Sequence, residues 1–375
     1  MKVLLVTEFF PTGKDLKFSG GVEARTYFVG RELAKTHSVY IISSKIKGAR
    51  THELIDDMKV MRVGRPRNYK ASAGDILTRI NFILEAIKVG KTLDADIVDG
   101  SNFITHYIAR KIANTNNIPT VAWYPDVWIG EWLKNVGISG IFGELLERLN
   151  LRAEFDAYIA ISKNTAKKLK KFVKQKIHTI YCGVDLAEFQ HKGIKFDTPT
   201  VICVSRLTKY KKIEDLIWAF ASIVKSGRKA NLLIIGRGPQ ENKLKEIVKM
   251  VNLYNHITFK SNLSRTELVK YFKSSHVFCL PSAVEGFGIS VIEASAAGIP
   301  YIVSDIDVFK EITRNGQGGL LFKLGNIHDL VSKLDKLLSD KKFYGKKSKE
   351  ALKLSKIYDW KQISKETEKV YKSLI

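Results

Sequence analysis

The sequence has only three cysteines among its 375 residues, and this scarcity excludes two kinds of site. Cys182, Cys203 and Cys279 lie far apart and form no Cys-x-x-Cys pair, so neither a disulfide framework nor a cysteine-based zinc site is indicated. The eight histidines also lack the spacing of metal ligands. We therefore expect a protein of the reducing cytoplasm that holds no metal.

Long hydrophobic runs are missing as well. No stretch reaches the ~18 apolar residues that a membrane-spanning helix requires. The segment MKVLLVTEFFP is interrupted by Glu8 and is not followed by a small-residue cleavage site, so it is predicted to be a buried first strand. The sequence thus predicts a protein that can touch a membrane but does not span one.

Acidic residues are scarce relative to basic ones. The 38 Asp and Glu oppose 62 Lys and Arg, which gives a formal charge of +24. Such an excess predicts attraction to phosphate-rich partners, which could be nucleic acid, anionic lipid or a phosphorylated small molecule. Nucleic acid is disfavoured because no recognised nucleic-acid module is present and the aromatic residues are not interleaved with the basic runs.

Short apolar, β-branched runs alternate with longer amphipathic segments along the whole chain. In the first half the runs lie at 3–6, 38–42, 60–63, 96–100, 120–124 and 157–161. In the second half they lie at 201–205, 232–236, 257–259, 277–281 and 301–304. This alternation predicts βαβ units with parallel sheets, and hence two doubly wound α/β domains.

A linker is predicted at 183–199, where periodicity is weak and Gly, Pro and polar residues are frequent. We accordingly predict one Rossmann-like domain over 1–190 and a second over 191–356. Residues 357–375 are predicted to form a final helix that packs back onto the first domain. Two such domains facing each other across a cleft would present the carboxyl ends of their strands to one ligand.

The segment EGFGISVIE, from Glu285 to Glu293, follows a predicted strand and opens a helix near Gly288. Backbone amides at a helix start carry partial positive charge and suit a phosphate group, and Gly286 and Gly288 would let it approach closely. The two glutamates are eight residues apart, which favours two separate ligand contacts over an acid/base pair. The alternative is an ordinary strand, turn and packing helix.

Three further segments place glycines or cations where strands end or helices begin. Arg206 and Lys211 follow the first strand of the second half and could converge on a diphosphate, although a solvated basic loop is the alternative. Gly236-Arg237-Gly238 ends the next strand, and Gly20-Gly21 precedes the first helix. Each glycine segment could also be a simple turn.

Taken together, these segments resemble the donor site of the retaining glycosyltransferases of family 4, which have the GT-B fold. The resemblance rests on the Glu-x7-Glu pattern, on the Ala-x-Gly-x-Pro that follows it and on Arg-Leu-x3-Lys at 206–211. It implies transfer of a sugar from a nucleoside diphosphate to a hydroxyl, with retention at the anomeric carbon. The sugar nucleotide is then a co-substrate, a UDP-sugar being favoured over a GDP-sugar, and no cofactor is implied.

The resemblance also implies roles for individual residues. Glu285 would contact the donor sugar and Glu293 the ribose, while Arg206 and Lys211 would clamp the diphosphate. We assign Glu285, Arg206 and Lys211 to catalysis. The remaining implied donor contacts are Gly20, Gly21, Gly236, Arg237, Gly238, Gly286, Phe287, Gly288 and Ile289.

One position departs from the family pattern. Relatives often carry a histidine near the donor sugar, whereas here the run 120–124 is followed by Pro125, whose side chain can neither donate nor accept a hydrogen bond. Asp126 is the nearest replacement and is the fourth residue that we assign to catalysis, with a loop or capping role as the alternative. The departure leaves open a donor sugar without a 6-hydroxyl, and also a non-catalytic sugar-nucleotide-binding protein.

Two basic stretches predict adsorption to anionic lipid. One precedes an apolar helix at 76–89, and the other is a predicted amphipathic helix at 163–176, for which an ordinary surface helix is the alternative. Their basic residues are Arg62, Arg65, Arg67, Lys70, Lys167, Lys170, Lys171 and Lys174. We therefore expect a peripheral enzyme on the cytoplasmic face of the cell membrane with a lipid-linked or glycan acceptor; the alternative is a soluble polysaccharide or metabolite glycosyltransferase.

Overall fold

The computed structural model describes residues 1–13, 16–18, 20–67, 76–138, 140–191 and 193–375. The chain divides into two compact units, one made of Met1–Cys182 with Trp360–Ile375 and the other of Gly183–Asp359. Each unit is built around its own parallel sheet. The fold is α/β with two Rossmann-like domains, as the alternating pattern predicts.

The sheet of the first unit has eight strands within the described residues, in the order β3-β4-β2-β1-β5-β6-β7-β8. All neighbours are parallel except the antiparallel pair β3 and β4. The strands are β1 (Lys2–Val6), β2 (Ser38–Ile46), β3 (His52–Ile55), β4 (Met58–Arg67), β5 (Ile97–Gly100), β6 (Thr120–Tyr124), β7 (Ala157–Ala160) and β8 (Ile177–Thr179). The central strands are mostly apolar because helices cover both faces of a parallel sheet.

The helices of this unit begin where the sequence supplies side-chain caps. Asn102 and Thr105 form a reciprocal capping box at one helix, and the Ser162 hydroxyl caps another. These helices are α1 (Gly21–Ala34), α2 (Ile76–Lys91), α3 (Phe103–Asn116), α4 (Trp132–Val136), α5 (Gly140–Arg152) and α6 (Lys163–Leu169). Helix α6 ends at Leu169, well before the residue 176 expected from the sequence, and lysines spaced three and four apart without an acid between them disfavour its extension.

The second unit has a six-stranded parallel sheet with the order β11-β10-β9-β12-β13-β14. Its strands are β9 (Thr200–Val204), β10 (Asn231–Ile235), β11 (Ile257–Lys260), β12 (Val277–Leu280), β13 (Tyr301–Ser304) and β14 (Gly319–Phe322). Its helices are α7 (Ile213–Lys225), α8 (Glu241–Met250), α9 (Arg265–Ser274), α10 (Ile289–Ala296), α11 (Asp307–Ile312), α12 (Ile327–Ser339) and α13 (Lys341–Ser355). The order reverses at β9, which is where doubly wound sheets bind ligands.

The second unit begins at Gly183, a few residues before the expected boundary at 190. The reason is a short 3-10 turn, Leu186–Phe189, that packs within the second unit. The Phe189 ring lies 6.4 Å from that of Phe272, and Glu188 pairs with Arg265. These contacts tie the turn to α9.

The last helix, α14 (Trp360–Lys372), lies in the first unit. The Trp360 indole stacks on Phe28 of α1 with centroids 5.4 Å apart. The Tyr371 hydroxyl donates to Asp99, a carboxylate that also accepts from Arg25 at 2.7 Å. All three polar side chains are buried, so α14 is held by an aromatic stack and by the hydrogen bond from Tyr371 to a desolvated ion pair.

Candidate functional site

Three loops of the second unit follow neighbouring strands β10, β9 and β12 and therefore lie at one edge of the sheet. Backbone hydrogen bonds join them. The Leu207 amide donates to the Arg237 carbonyl at 2.8 Å, and the Ala283 amide donates to the Tyr210 carbonyl at 2.8 Å. The structure therefore brings the 206–211, 236–238 and 285–293 segments into one connected surface.

Glycine is required at two positions where the first two loops touch. A Cβ on Gly236 would lie 1.8 Å from the Ser205 carbonyl oxygen, and one on Gly238 would lie 2.2 Å from that of Leu207. Gly236 also has a positive φ of 153°. Any side chain at either position would separate the loops.

Lys211 and Glu285, which the sequence assigns to different parts of the donor, form an ion pair in the structure. Lys211 ends a 3-10 turn and is only 7% exposed, and the Ser282 hydroxyl donates to the same Glu285 oxygen at 3.1 Å. Because water is largely excluded, each charge depends on the other for compensation. Arg206 lies in the same loop as Lys211 but its side chain is exposed, as is that of Arg237.

Helix α10 begins directly after Gly288, as the glycine pattern indicates. Gly288 has a φ of 95°, and a Cβ there would lie 2.7 Å from a ring carbon of Phe309. Phe287 is buried against Tyr358, with ring centroids 5.6 Å apart. The loop is thereby anchored on both sides, which leaves the first amides of α10 at the sheet edge.

Glu293 lies on α10 and is 7% exposed. Its carboxylate pairs with Nη1 of Arg265, while Nη2 and Nε of the same guanidinium donate to Glu188 at 2.7 and 2.9 Å. Burial alone would lower the pKa of Arg265, but the carboxylates of Glu293 and Glu188 raise it above its ordinary value. Glu285 and Glu293 therefore have different cationic partners.

Sequence analysis missed Arg265 and Glu188. They lie 28 and 77 residues from their respective partners, so no local spacing indicates the contacts. A usable signal was the Ser264-x-x-Glu267 pattern, which forms a capping box and starts α9 at Arg265. That pattern places Arg265 beside the carboxyl end of β11.

The glycine loop of the first unit is less constrained by packing. Gly20 is exposed and extended, with a φ of −178°, and a Cβ there would meet nothing within 4 Å. Gly21 is the first residue of α1. Local packing therefore does not require glycine at position 20.

Asp126 lies in the loop after β6 and is held by two donors. Its Oδ1 accepts from the Lys168 ammonium at 2.7 Å and from the Val127 amide at 2.9 Å. These contacts fit the capping alternative, because the carboxylate ties the loop to α6. Pro125 precedes it directly at the end of β6.

The same loop rests on a buried carboxylate that sequence analysis did not identify. Glu147 on α5 is 2% exposed and accepts from the Trp128 amide at 3.2 Å and from the Trp132 indole at 2.5 Å. Burial raises the pKa of Glu147 to about 7, although the two donors oppose the shift. The carboxylate therefore titrates near neutrality.

The basic residues predicted to meet lipid have unequal positions. Arg62 is fully buried on β4 and donates to Glu53 and to the Pro11 carbonyl, both at 2.7 Å, so its assignment to a surface is wrong. Arg67 is also largely covered and pairs with Glu8 at 3.0 Å. Arg65 is exposed, and Lys70 lies outside the described residues. The four predicted lysines around α6 are exposed, namely Lys167, Lys170, Lys171 and Lys174.

Two helices of the first unit leave apolar side chains exposed. On α5, Ile141, Leu145 and Leu149 recur every four residues and are 58%, 58% and 47% exposed. The first half of α2 exposes Ile76, Leu77, Ile80 and Leu84. The opposite sides of both helices share one core cluster, to which α2 contributes Phe82 and Ile83 and α5 contributes Leu146.

Neither a metal cluster nor a membrane span is found in the part of the chain that the structure describes. No group of His, Cys, Asp or Glu there could hold a metal ion. Asp94 and Asp96, which have metal-like spacing, instead contact the Lys2 ammonium and the Lys2 amide. None of the described helices has the length and apolarity needed to cross a bilayer.

Comparison with known proteins supports the same interpretation of both units. The model of the family "Glycosyltransferase Family 4" matches residues 19–188, and that of "Glycosyl transferases group 1" matches residues 185–354. An uncharacterized glycosyltransferase of Methanocaldococcus jannaschii is 26% identical over 74% of this chain and 75% of its own length. The alpha-monoglucosyldiacylglycerol synthase of Acholeplasma laidlawii is 31% identical over 49% of this chain, a match that spans 46% of that enzyme.

Solved structures share the fold over the full length. The sucrose-phosphate synthase of Thermosynechococcus elongatus superposes with a TM-score of 0.86 at 19% identity, covering 100% of this chain and 98% of that one. The HepE protein of Anabaena, solved in complex with UDP-glucose, superposes with a TM-score of 0.77 at 15% identity and covers 100% of both chains.

Proposed function

Because this chain belongs to the glycosyl transferases group 1 family and is a glycosyltransferase with the GT-B fold, we propose that it uses a nucleoside diphosphate sugar as donor and a lipid-linked acceptor at a membrane surface. The donor site is the edge formed by the loops after β9, β10 and β12. Sugar transfer proceeds with retention at the anomeric carbon. The observation that carries the donor assignment is the placement of two separate carboxylate–cation pairs, Glu285 with Lys211 and Glu293 with Arg265, beside the start of α10.

The donor diphosphate replaces a carboxylate as the partner of Lys211. In the structure the Lys211 ammonium is compensated by Glu285, so a bound diphosphate competes with that carboxylate for the same cation. Glu285 is then released to accept hydrogen bonds from donor sugar hydroxyls. Lys211 and the exposed Arg206 stabilise the negative charge that develops on the leaving nucleoside diphosphate.

The remaining contacts follow from the position of each segment. The amides of Gly286 to Ile289 face the phosphates at the start of α10, and Glu293 binds the ribose hydroxyls. The Gly236 to Gly238 turn lies near the nucleobase, and Gly20 and Gly21 allow a ligand to approach the backbone closely at the start of α1. Asp126 acts through its loop rather than at the reacting atoms, because Lys168 holds its carboxylate.

UDP is the proposed nucleotide, with GDP as the alternative. Support comes from the Anabaena structure, whose bound ligand is UDP-glucose, while a mycobacterial relative is named as GDP-mannose-dependent. A panel of UDP- and GDP-sugars screened by thermal shift tests the choice, since a ligand that binds only the native state raises its melting temperature. If no sugar nucleotide stabilises the protein and Glu293→Ala leaves turnover unchanged, the donor assignment fails.

The membrane part of the proposal is supported by the exposed aliphatic face of α5. Ile141, Leu145 and Leu149 form one stripe, and the exposed Arg148 and Arg152 lie on the same helix. An amphipathic helix with aliphatic and basic residues adsorbs to anionic bilayers by burying its apolar side in the headgroup region. The names of two relatives contain a glycolipid, monoglucosyldiacylglycerol in one and phosphatidylinositol monomannoside in the other. The proposed location is the cytoplasmic face of the cell membrane.

Vesicle flotation tests this surface. We expect the protein to float with vesicles containing phosphatidylglycerol and Leu145→Asp to reduce the bound fraction several-fold, because the charge opposes insertion of the stripe. Leu352→Asp is the matched control, since Leu352 is 44% exposed but lies on α13 of the second unit. If the wild-type protein does not float, a soluble polysaccharide or metabolite acceptor is favoured.

Product analysis distinguishes a catalyst from a protein that only binds the sugar nucleotide. Release of nucleoside diphosphate that depends on an acceptor excludes a non-catalytic sugar-nucleotide-binding protein. The anomeric configuration of the product, measured by NMR, tests retention. Comparison of pentose, 6-deoxy and hexose donors tests whether Pro125 marks a site with no partner for a 6-hydroxyl.

A further inference from the structure

Arg265 connects two carboxylates from different parts of the second unit. Its guanidinium uses Nη1 for Glu293 on α10 and uses Nη2 and Nε for Glu188 on the 3-10 turn Leu186–Phe189. The Arg265 and Glu293 side chains are 10% and 9% exposed, so water contributes little to either charge. The guanidinium is therefore a rigid bridge between the turn at the start of the second unit and the helix that carries Glu293.

The turn that holds Arg265 is itself firmly fixed. The Lys273 ammonium donates to the Glu188 carbonyl at 3.1 Å, and the Arg265 and Lys273 cations lie 5.8 and 5.9 Å from the centre of the Phe189 ring. Both cations belong to α9, whose start is set by the capping box of Ser264 and Glu267. The position of the Arg265 guanidinium is thus fixed at the backbone by the start of α9 and at its tip by the turn.

A glutamate side chain on a helix has several rotatable bonds, and an unpartnered Glu293 could turn its carboxylate in several directions. Pairing with a planar guanidinium restricts this motion, because the guanidinium donates its N–H bonds only in its own plane. A carboxylate fixed before the ligand arrives loses less conformational freedom on binding. With Arg265 in place, Glu293 therefore discriminates more strongly between a ligand that has a hydroxyl at this position and one that lacks it.

We propose that Arg265 is a positioning residue that orients Glu293 toward the ribose of the donor nucleotide, and that Glu188 holds Arg265 in that orientation. The inference rests on the proposed donor site, because it assigns Arg265 a role in the selectivity of that same site. Arg265 does not touch the reacting atoms. Its effect is on how strongly the site distinguishes a ribose from a sugar that lacks the two hydroxyls.

The test compares the affinities of UDP and 2′,3′-dideoxy-UDP, and of GDP and its dideoxy analogue, by isothermal titration calorimetry. We expect wild-type protein to bind one ribonucleotide about 10- to 100-fold more tightly than its dideoxy analogue, the loss expected for hydrogen bonds to a charged group. Glu293→Gln should reduce this ratio to below about threefold. Arg265→Ala should reduce it similarly, and Arg265→Lys should give an intermediate value, since a point charge reaches only one carboxylate.

Lys273→Ala is the matched control. It removes a cation of the same helix that contacts the same turn through Glu188 and Phe189. A purely structural effect of loosening the turn would therefore appear in this variant too. Lys273→Ala leaves both ion pairs of Arg265 in place, so we expect it to lower the ratio much less than Arg265→Ala does. Glu188→Gln should lower the ratio because Arg265 loses part of its support. An equal loss in Lys273→Ala and Arg265→Ala would refute the positioning role, because loosening of the turn would then explain both.

The outcomes separate the inference from the function on which it rests. If Glu293→Gln abolishes ribose selectivity but Arg265→Ala retains it, the positioning role is refuted and the donor site stands. If wild-type protein has no ribose selectivity, the donor assignment fails and the inference fails with it. Should Arg265→Ala not fold, Arg265→Lys and Glu188→Gln decide, and wild-type ratios in both would refute the proposal.

Discussion

Replacing Glu285 by glutamine should weaken catalysis but tighten the binding of the nucleoside diphosphate product. In the structure the Glu285 carboxylate compensates the Lys211 ammonium, which is 7% exposed. A diphosphate must take Lys211 away from this partner before it can bind. Glutamine keeps the shape and can still accept from Ser282, but it removes the competing charge.

The magnitude follows from the burial of the pair. Separating two closely placed, largely desolvated charges costs on the order of 1.5 to 3 kcal/mol. If about half of that cost is removed in Glu285→Gln, the affinity for UDP should rise about 3- to 10-fold. The same variant should lower kcat for sugar transfer by about 100-fold or more, because the contact with the donor sugar is lost.

Calorimetric titration with UDP and steady-state turnover measure the two effects. Lys211→Met should weaken UDP binding, and the double variant Lys211→Met/Glu285→Gln should bind no more tightly than Lys211→Met. Thermal unfolding without ligand provides a further check, since each single variant leaves one charge without its partner. If the wild-type protein binds UDP but Glu285→Gln binds it no more tightly, the competition between carboxylate and diphosphate is refuted.

Three other predictions concern the scaffold. Burial raises the pKa of Glu147 from 4.5 to about 7, so the folded state retains a proton that the unfolded chain releases between those values. The free energy of unfolding should therefore fall by up to about 3 kcal/mol as pH rises through this range, and Glu147→Gln should remove that slope in urea titrations. Gly236→Ala should destabilise by about 3 kcal/mol or more, because its Cβ would overlap the Ser205 carbonyl, whereas Gly20→Ala has open space and should keep the melting temperature. Arg62→Ala should cost about 3 to 5 kcal/mol by leaving Glu53 unpaired, whereas Arg65→Ala should keep stability and reduce vesicle binding; similar stabilities for the two would contradict the buried position of Arg62.

The pattern of apolar residues predicted the two α/β domains because it shows which faces of each strand and helix are buried. Strands such as VLLV and VICV are apolar at consecutive positions, as buried parallel strands must be. The same principle, applied residue by residue, would have corrected one error. Val60 and Arg62 are two residues apart on β4, so they share a face, and that face is buried. The expectation of a lipid-facing Arg62 came from its charge and ignored its register.

The proposed donor loops were predictable only in part. The glycine pattern indicated a turn at 236–238 and a helix start near Gly288, and the structure shows that a Cβ at Gly236, Gly238 or Gly288 would overlap a neighbouring atom. The cationic partners of Glu285 and Glu293 could not be obtained in this way. Lys211 and Glu285 are 74 residues apart, and Arg265 and Glu293 are 28 apart.

The sequence by itself determined the two parallel sheets, the location of the glycine turns and the family resemblance carried by Glu285 and Glu293. These are properties of burial and backbone sterics, which act over a few residues and leave a periodic pattern. Only the tertiary structure decided that Lys211 compensates Glu285, that Arg265 joins Glu293 to Glu188, and that Arg62 is internal. Electrostatic pairing depends on distance in space, and the strand order that sets this distance is formed by the whole domain.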